Sequence, residues 1–145
     1  MPGIVVGVDG SSTTQLALEW AMKEAAIKQA PLTVLAVHQV AISYWTGDPL
    51  IFPADEEEVQ KVRKATEEAV QRATGQIGDV KPPSVTVRAL SGLPARELIN
   101  ASHDAEQVVV GARGGGGFAA LRIGSVTSQV VQHAECPVTV IHGKR

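Results

Sequence analysis

The sequence predicts an α/β fold: a single-domain, Rossmann-like open parallel sheet of five strands with helices on both faces. Three observations predict it. Short β-branched runs alternate with stretches of helical period along the chain, the order expected of strand-helix-strand units. Four of the five runs lack the polar alternation of a half-wetted strand, so they read as covered on both faces. Gly, Pro, Asp and Ser clusters punctuate the junctions.

Ile4-Val5-Val6-Gly7-Val8 is the first strand. It ends at Asp9-Gly10-Ser11-Ser12, a turn and helix-capping cluster. Ala17, Leu18, Ala21, Met22 and Ala25 then mark one face of a helix, and Pro31 its exit. Leu32 to Val37 is a second buried strand. The stretch from Ala41 to Ala54 reads as irregular, with Gly47, Pro49 and Pro53, and it carries Tyr44, Trp45 and Phe52. Such a loop could serve as a lid, as a partner surface, or as packing on the sheet edge. Asp55-Glu56-Glu57-Glu58 opens a second helix, since acids suit a helix N-terminus. Its apolar face is Val59, Val62, Ala69, Val70 and Ala73, and Gly75 and Gly78 are its stop signals. Ser84 to Leu90 alternates, as an edge strand with one wetter face would. Ala95, Leu98, Ile99 and Ser102 give a short helix. Gln107 to Gly111 is a fourth strand, leading into Ala112-Arg113 and the run Gly114 to Gly117. A last helix from about Gly124 shows Val126, Val130, Val131 and Ala134, and Pro137 to His142 is the closing strand.

The chain has 145 residues, enough to bury a core in one domain over 1–145 without a disulfide or metal staple. Thirteen basic against fifteen acidic residues give a net charge of −2. That balance argues against a dedicated binder of nucleic acid or anionic membrane. No apolar run approaches the roughly 18 residues of a membrane span. Met1-Pro2-Gly3 lacks a basic leader, and the single Cys136 fits a reducing, cytoplasmic setting.

In open parallel sheets, ligands bind outside the carboxyl ends of the strands where the order switches. Asp9 stands at one such end. The glycine loop from Gly111 to Gly117, with Gly124-Ser125 opening the last helix, stands at another. Glycines admit close approach of backbone to phosphate, and the amides of a helix start can surround an anion. The same run also reads as a plain connector, and Asp9 as a turn or cap residue. Ser125 could cap the helix. No G-x-x-x-x-G-K-[ST] occurs, so P-loop chemistry is excluded. His38, His103, His133 and His142 are far apart and lack metal-ligand spacing. There is no nucleophile elbow, triad order or clear carboxylate pair.

Gly111-x-x-Gly114, nine residues, then Gly124-Ser125 resembles the G-2x-G-9x-G-[ST] pattern of the ATP-binding universal stress proteins. The flanks agree: Val5-Val6-Gly7-Val8-Asp9-Gly10-Ser11, Gly92-Leu93-Pro94 and Cys136-Pro137-Val138. The resemblance covers essentially the whole chain. It implies the strand order 3-2-1-4-5, which sets Asp9 across from the glycine loop. It implies an adenine nucleotide, ATP foremost, with Mg2+ accompanying the phosphates. Asp9, beside the strand-end residues Gly7 and Val8, would lie by ribose or adenine. His38 or Gln39 would meet adenine. Gly111, Gly114, Gly124, Ser125 and Val126 would hold ribose and phosphates. Arg113, like Arg122, reads either as a phosphate partner or as a solvated surface cation. The resemblance further implies a homodimer through the last strand at Val138 and Val140, and a role in stress response as a sensor or regulator. A slow ATPase is the alternative, and a non-nucleotide interaction protein on the same fold a further one.

Overall fold

The structure is a computed structural model; it describes residues 3–39, 41–43, 47, 50–52, 56–112 and 124–143. The described elements run β1 (Ile4–Val8), α1 (Ser12–Lys28), β2 (Leu32–Gln39), β3 (Ala41–Ser43), β4 (Leu50–Phe52), α2 (Glu56–Ile77), β5 (Val85–Gly92), α3 (Pro94–Ser102), β6 (Gln107–Gly111), α4 (Ser125–His133) and β7 (Val138–Ile141). Five strands form one sheet in the order β5-β2-β1-β6-β7, and every pairing in it is parallel. Counting only these five strands, the order is the expected 3-2-1-4-5.

Alternation within each strand divides the core. Ile4, Val6, Leu32, Val34 and Val109 pack with Ala17, Leu18, Ala21, Met22 and Ala25 of α1 and with Ala69, Ala73 and Ile77 of α2. Val5, Leu35, Val108 and Val110 face the other way, against Leu98 of α3 and Val130 of α4. Strands buried on both faces have no use for a polar position every second residue, which is why they read as unbroken apolar runs. β5 lies at an edge, and Thr86 and Arg88 on it are exposed, as its alternation requires.

The stretch from Ala41 to Ala54 is not wholly irregular. β3 and β4 form a two-stranded antiparallel pair, with Ala41 opposite Phe52, Ile42 opposite Ile51 and Ser43 opposite Leu50. Gly47 between them has φ +89°, a conformation open to glycine. Three-residue strands are too short to show a period, and the flanking prolines mask them. Tyr44 and Trp45 lie outside the described residues. α2 runs through Gly75 and stops before Gly78, whose φ is +76°. Val131 of α4 is exposed rather than packed, while Thr127 is buried in its place.

Candidate functional site

β1 and β6 are neighbours at the centre of the sheet, and the crossovers on either side of them leave in opposite directions. Their carboxyl ends open a crevice. Its middle is a cavity of ≈ 110 Å³ reached by Gly7, Val8, Asp9, Val37, Gly111 and Val126. A second cavity of ≈ 430 Å³ adjoins it on the α1–α2 side, sharing Val8, Asp9, Thr14 and Val37 and adding His38 and Gln39. A third, of ≈ 440 Å³, adjoins it between α3 and α4, sharing Pro94 and Val126 and adding Arg96, Asn100, Ser125 and Gln129. Of the eleven residues expected at the site, nine are described, and all but Gly124 line one of these cavities.

Asp9 is exposed and held by the turn it starts. Its Oδ1 accepts from the Ser11 amide at 2.9 Å and from the Thr14 hydroxyl at 3.0 Å. The Thr14 hydroxyl accepts in turn from the Asp9 amide at 3.2 Å. Ser11 is the N-cap of α1, its hydroxyl accepting from the Thr14 amide at 3.3 Å. Gly10 in this turn has φ +86°. The turn reading of Asp9 therefore holds, and the same bonds fix its carboxylate at the mouth of the crevice.

Gly7 and Gly111 are glycines first for packing. A Cβ on Gly7 would meet Leu98 Cδ1 and Cδ2 at 3.0 Å, and one on Gly111 would meet Thr13 Cγ2 at 2.9 Å. Their bareness lets α3 and the first turn of α1 seat on the sheet. The backbone after Gly111 is also clamped. Thr127 Oγ1 donates to the Gly111 carbonyl at 2.6 Å, and the Gly124 amide donates to the Ala112 carbonyl at 2.7 Å. Both ends of the glycine loop are thus pinned at the mouth of the crevice. Arg113 and Gly114, with Gly115, Gly116, Gly117 and Arg122, lie outside the described residues.

Gly124, not Ser125, is the N-cap of α4; Ser125 is the first helical residue, so its hydroxyl is not the cap. A glycine cap brings no side-chain acceptor to the amides of the first turn, which keeps them for a ligand. At φ −62° and ψ 159° Gly124 occupies backbone space open to any residue. Turn geometry therefore does not require glycine there, in contrast to Gly10.

His38 is half-buried at the end of β2. Its Nε2 stands 4.0 Å from Glu58 Oε2 at the start of α2. Its Nδ1 is buried and finds no hydrogen-bond partner among the described residues. Beside it Gln39 is exposed. Sequence reasoning missed Thr14, Thr127 and Arg96. The two threonines sit where a polar residue breaks a helix's apolar stripe, which was the available signal. Nothing in the sequence singles out Arg96. Cys136 is away from the crevice, and partial burial pushes its thiol up, against a smaller opposing pull from the Val108 backbone. That disfavours the thiolate and with it a nucleophilic role.

The sequence profile described as the universal stress protein family matches residues 2–142. Among curated relatives, a universal stress protein of Mycolicibacterium smegmatis is 33% identical over 97% of this chain and 48% of its own length. Universal stress protein Rv2005c of Mycobacterium tuberculosis is 34% identical over 97% of this chain and 48% of its own length. The chain thus spans about half the length of these relatives. Among solved structures, UspA from Lactobacillus plantarum superposes with a TM-score of 0.76 at 24% identity, covering 97% of each chain. A universal stress protein solved in complex with cAMP gives 0.71 at 22% identity, covering 97% of this chain and 96% of that one. One from Archaeoglobus fulgidus in complex with dAMP gives 0.59 at 23%, covering 97% and 98%. At these identities the structures speak for the fold, and the sequence profile carries the assignment: the chain belongs to the universal stress protein family.

Proposed function

We propose that this chain binds an adenine nucleotide, ATP foremost, in the crevice between β1 and β6. The observation that carries the reading is the tie between the residues that flank the glycine run. Gly111 and Ala112 are tied to the start of α4, so a glycine-capped helix N-terminus faces Asp9 across a cavity at the switch point. That arrangement offers amides to phosphate and a carboxylate to a sugar hydroxyl. Two neighbours of the same fold were solved with cAMP and dAMP, which supports the adenine class.

In this reading Asp9 takes ribose or base, the end of β2 at His38 and Gln39 meets the base, and Gly124, Ser125 and Val126 take the phosphates. Gly111 joins them, Gly7 and Val8 form the floor, and the sequence pattern adds Arg113 and Gly114 as proposed phosphate partners. Among the described residues no group of three or more His, Cys, Asp or Glu side chains could cage a metal. Mg2+ would then be held chiefly by the phosphates, which is its usual habit with nucleotides. Occupancy rather than turnover is the proposed output: a sensor or regulator in stress response, acting in the cytoplasm as a homodimer through β7. Val138 and Val140 are half-buried on that edge strand, so a second copy could cover them.

The test is to denature freshly purified protein, identify any released nucleotide by mass spectrometry, and measure saturable ATP binding. Binding is expected to be lost in Gly124→Val while the circular dichroism spectrum and melting curve persist. A folded variant that binds as the parent does would refute the phosphate cradle.

A further inference from the structure

The crevice carries charge along its length, with Glu68 and Arg72 together lining the α1–α2 cavity. Its middle carries Asp9. The cavity between α3 and α4 includes Arg96, Asn100, Ser125, Val126 and Gln129 in its lining. Arg96 is the one charged residue of that lining, and Asn100, Gln129 and Ser125 add donors around it. Arg96 is the third residue of α3, whose first turn is an unfavourable place for a cation because the helix dipole is positive there. Leu93 caps that helix without a side-chain hydrogen bond. Among the described residues Arg96 makes no ion pair or hydrogen bond. Glu97, the acid of the same turn, is not part of the lining; its side chain lies against Gly92. The exposed guanidinium is solvated, and at the positive end of a helix, facing a cavity of ≈ 440 Å³, it gains a direct counter-charge when an anion enters.

Resting on the nucleotide reading above, we propose that this cavity receives the terminal phosphates of the nucleotide. Arg96 is then the residue that makes the site favour a triphosphate over a monophosphate or a cyclic monophosphate. The α-phosphate sits at the start of α4, which the middle cavity and the α3–α4 cavity share through Val126. The β- and γ-phosphates then run away from Asp9 toward Arg96. Asp9 sets the direction of binding, since a phosphate tail laid toward it would meet a carboxylate. A nucleotide that ends at its α-phosphate does not reach the guanidinium.

The test is isothermal titration of the whole chain and of Arg96→Gln with ATP, AMP and cAMP, each at low and physiological salt. The side chain is exposed, so the variant keeps the fold. The parent is expected to hold ATP more tightly than AMP or cAMP, with the larger salt dependence for ATP. Arg96→Gln is expected to weaken ATP about five- to tenfold, an effect of the size of one charge-assisted contact, while AMP and cAMP move by less than about twofold. Arg96→Lys recovers part of the loss. Equal losses for all three ligands, or no loss for ATP, would overturn the subsite while leaving the nucleotide reading intact. A parent chain that takes up none of the three would overturn the nucleotide reading, and the subsite with it.

Discussion

At the residue scale, the glycines of the site divide by what a side chain would strike. Gly111→Ala places a methyl 2.9 Å from Thr13 Cγ2 and 3.4 Å from Thr14 Cγ2, so the first turn of α1 must shift to admit it. It is expected to cost about 1–3 kcal/mol in urea unfolding, the usual range for overpacking. Gly124→Ala keeps an ordinary backbone conformation and should cost about 1 kcal/mol, the difference between a glycine and an alanine N-cap. A loss of ligand in the first variant would report on the fold, and in the second on the site. Asp9 divides in the same way. Asp9→Ala removes the acceptor of both Ser11 and Thr14 and should destabilise the start of α1 by about 1–2 kcal/mol. Asp9→Asn keeps an oxygen for both donors and should unfold within about 0.5 kcal/mol of the parent. Chemical denaturation of the pair checks this, and equal destabilisation by Ala and Asn would show that the charge, not the bond, holds the turn. Only Asp9→Asn is then a fair probe of the carboxylate toward a sugar hydroxyl.

At the element scale, the second face of the sheet is closed by a small polar joint. Ser102 is 1% exposed at the end of α3, donates to the Ile99 carbonyl and accepts from the Glu135 amide at 3.0 Å. His103 pairs with Glu135 at the surface of the same joint. An exposed pair contributes about 1 kcal/mol at most, so the buried hydroxyl is the stronger tie. Ser102→Ala is expected to cost about 1–2 kcal/mol in urea, more than His103→Ala, because it strands the Glu135 amide. The reverse ranking would contradict this reading of the joint. The five strands and four helices of the main fold were legible in the sequence because each carries a full period or an unbroken β-branched run. Ala17, Leu18, Ala21, Met22 and Ala25 are all buried, as their spacing requires. β3 and β4 were not legible, since three residues cannot display an alternation. Thr66 escaped notice because a buried hydroxyl satisfied by its own helix, here by the Val62 carbonyl at 2.7 Å, has the look of a surface residue in sequence. Of the site, Asp9 and the start of α4 were legible as strand-end and helix-start signals. The orphaned Nδ1 of His38 and the position of Arg96 were not, because both depend on which elements the topology brings side by side.

At the scale of the whole molecule, the fold sets the described residues of the proposed site on one rim. The strands are parallel, so all their carboxyl ends lie on the same side, and α1, α3 and α4 all start there. The edges have a different use. β7 offers half-buried Val138 and Val140, and the proposed dimer predicts that Val140→Ala shifts the chain toward monomer in sedimentation velocity, with a modest fall in melting temperature because Val140 also packs on the α3–α4 side of the core. A parent chain that sediments as a monomer at high concentration would remove that part of the proposal. The central claim concerns the rim, and its most direct test is amide chemical-shift mapping with AMP and ATP on isotopically labelled protein. Shifts are predicted at Asp9, at His38 and Gln39, at Gly111, and at Ser125 and Val126, with ATP extending them to Arg96 and Asn100. Amides on the opposite rim, such as Ile4, Leu32 and Val108, should stay still. Perturbations centred on that opposite rim or along β5, or none at saturating nucleotide, would contradict the account.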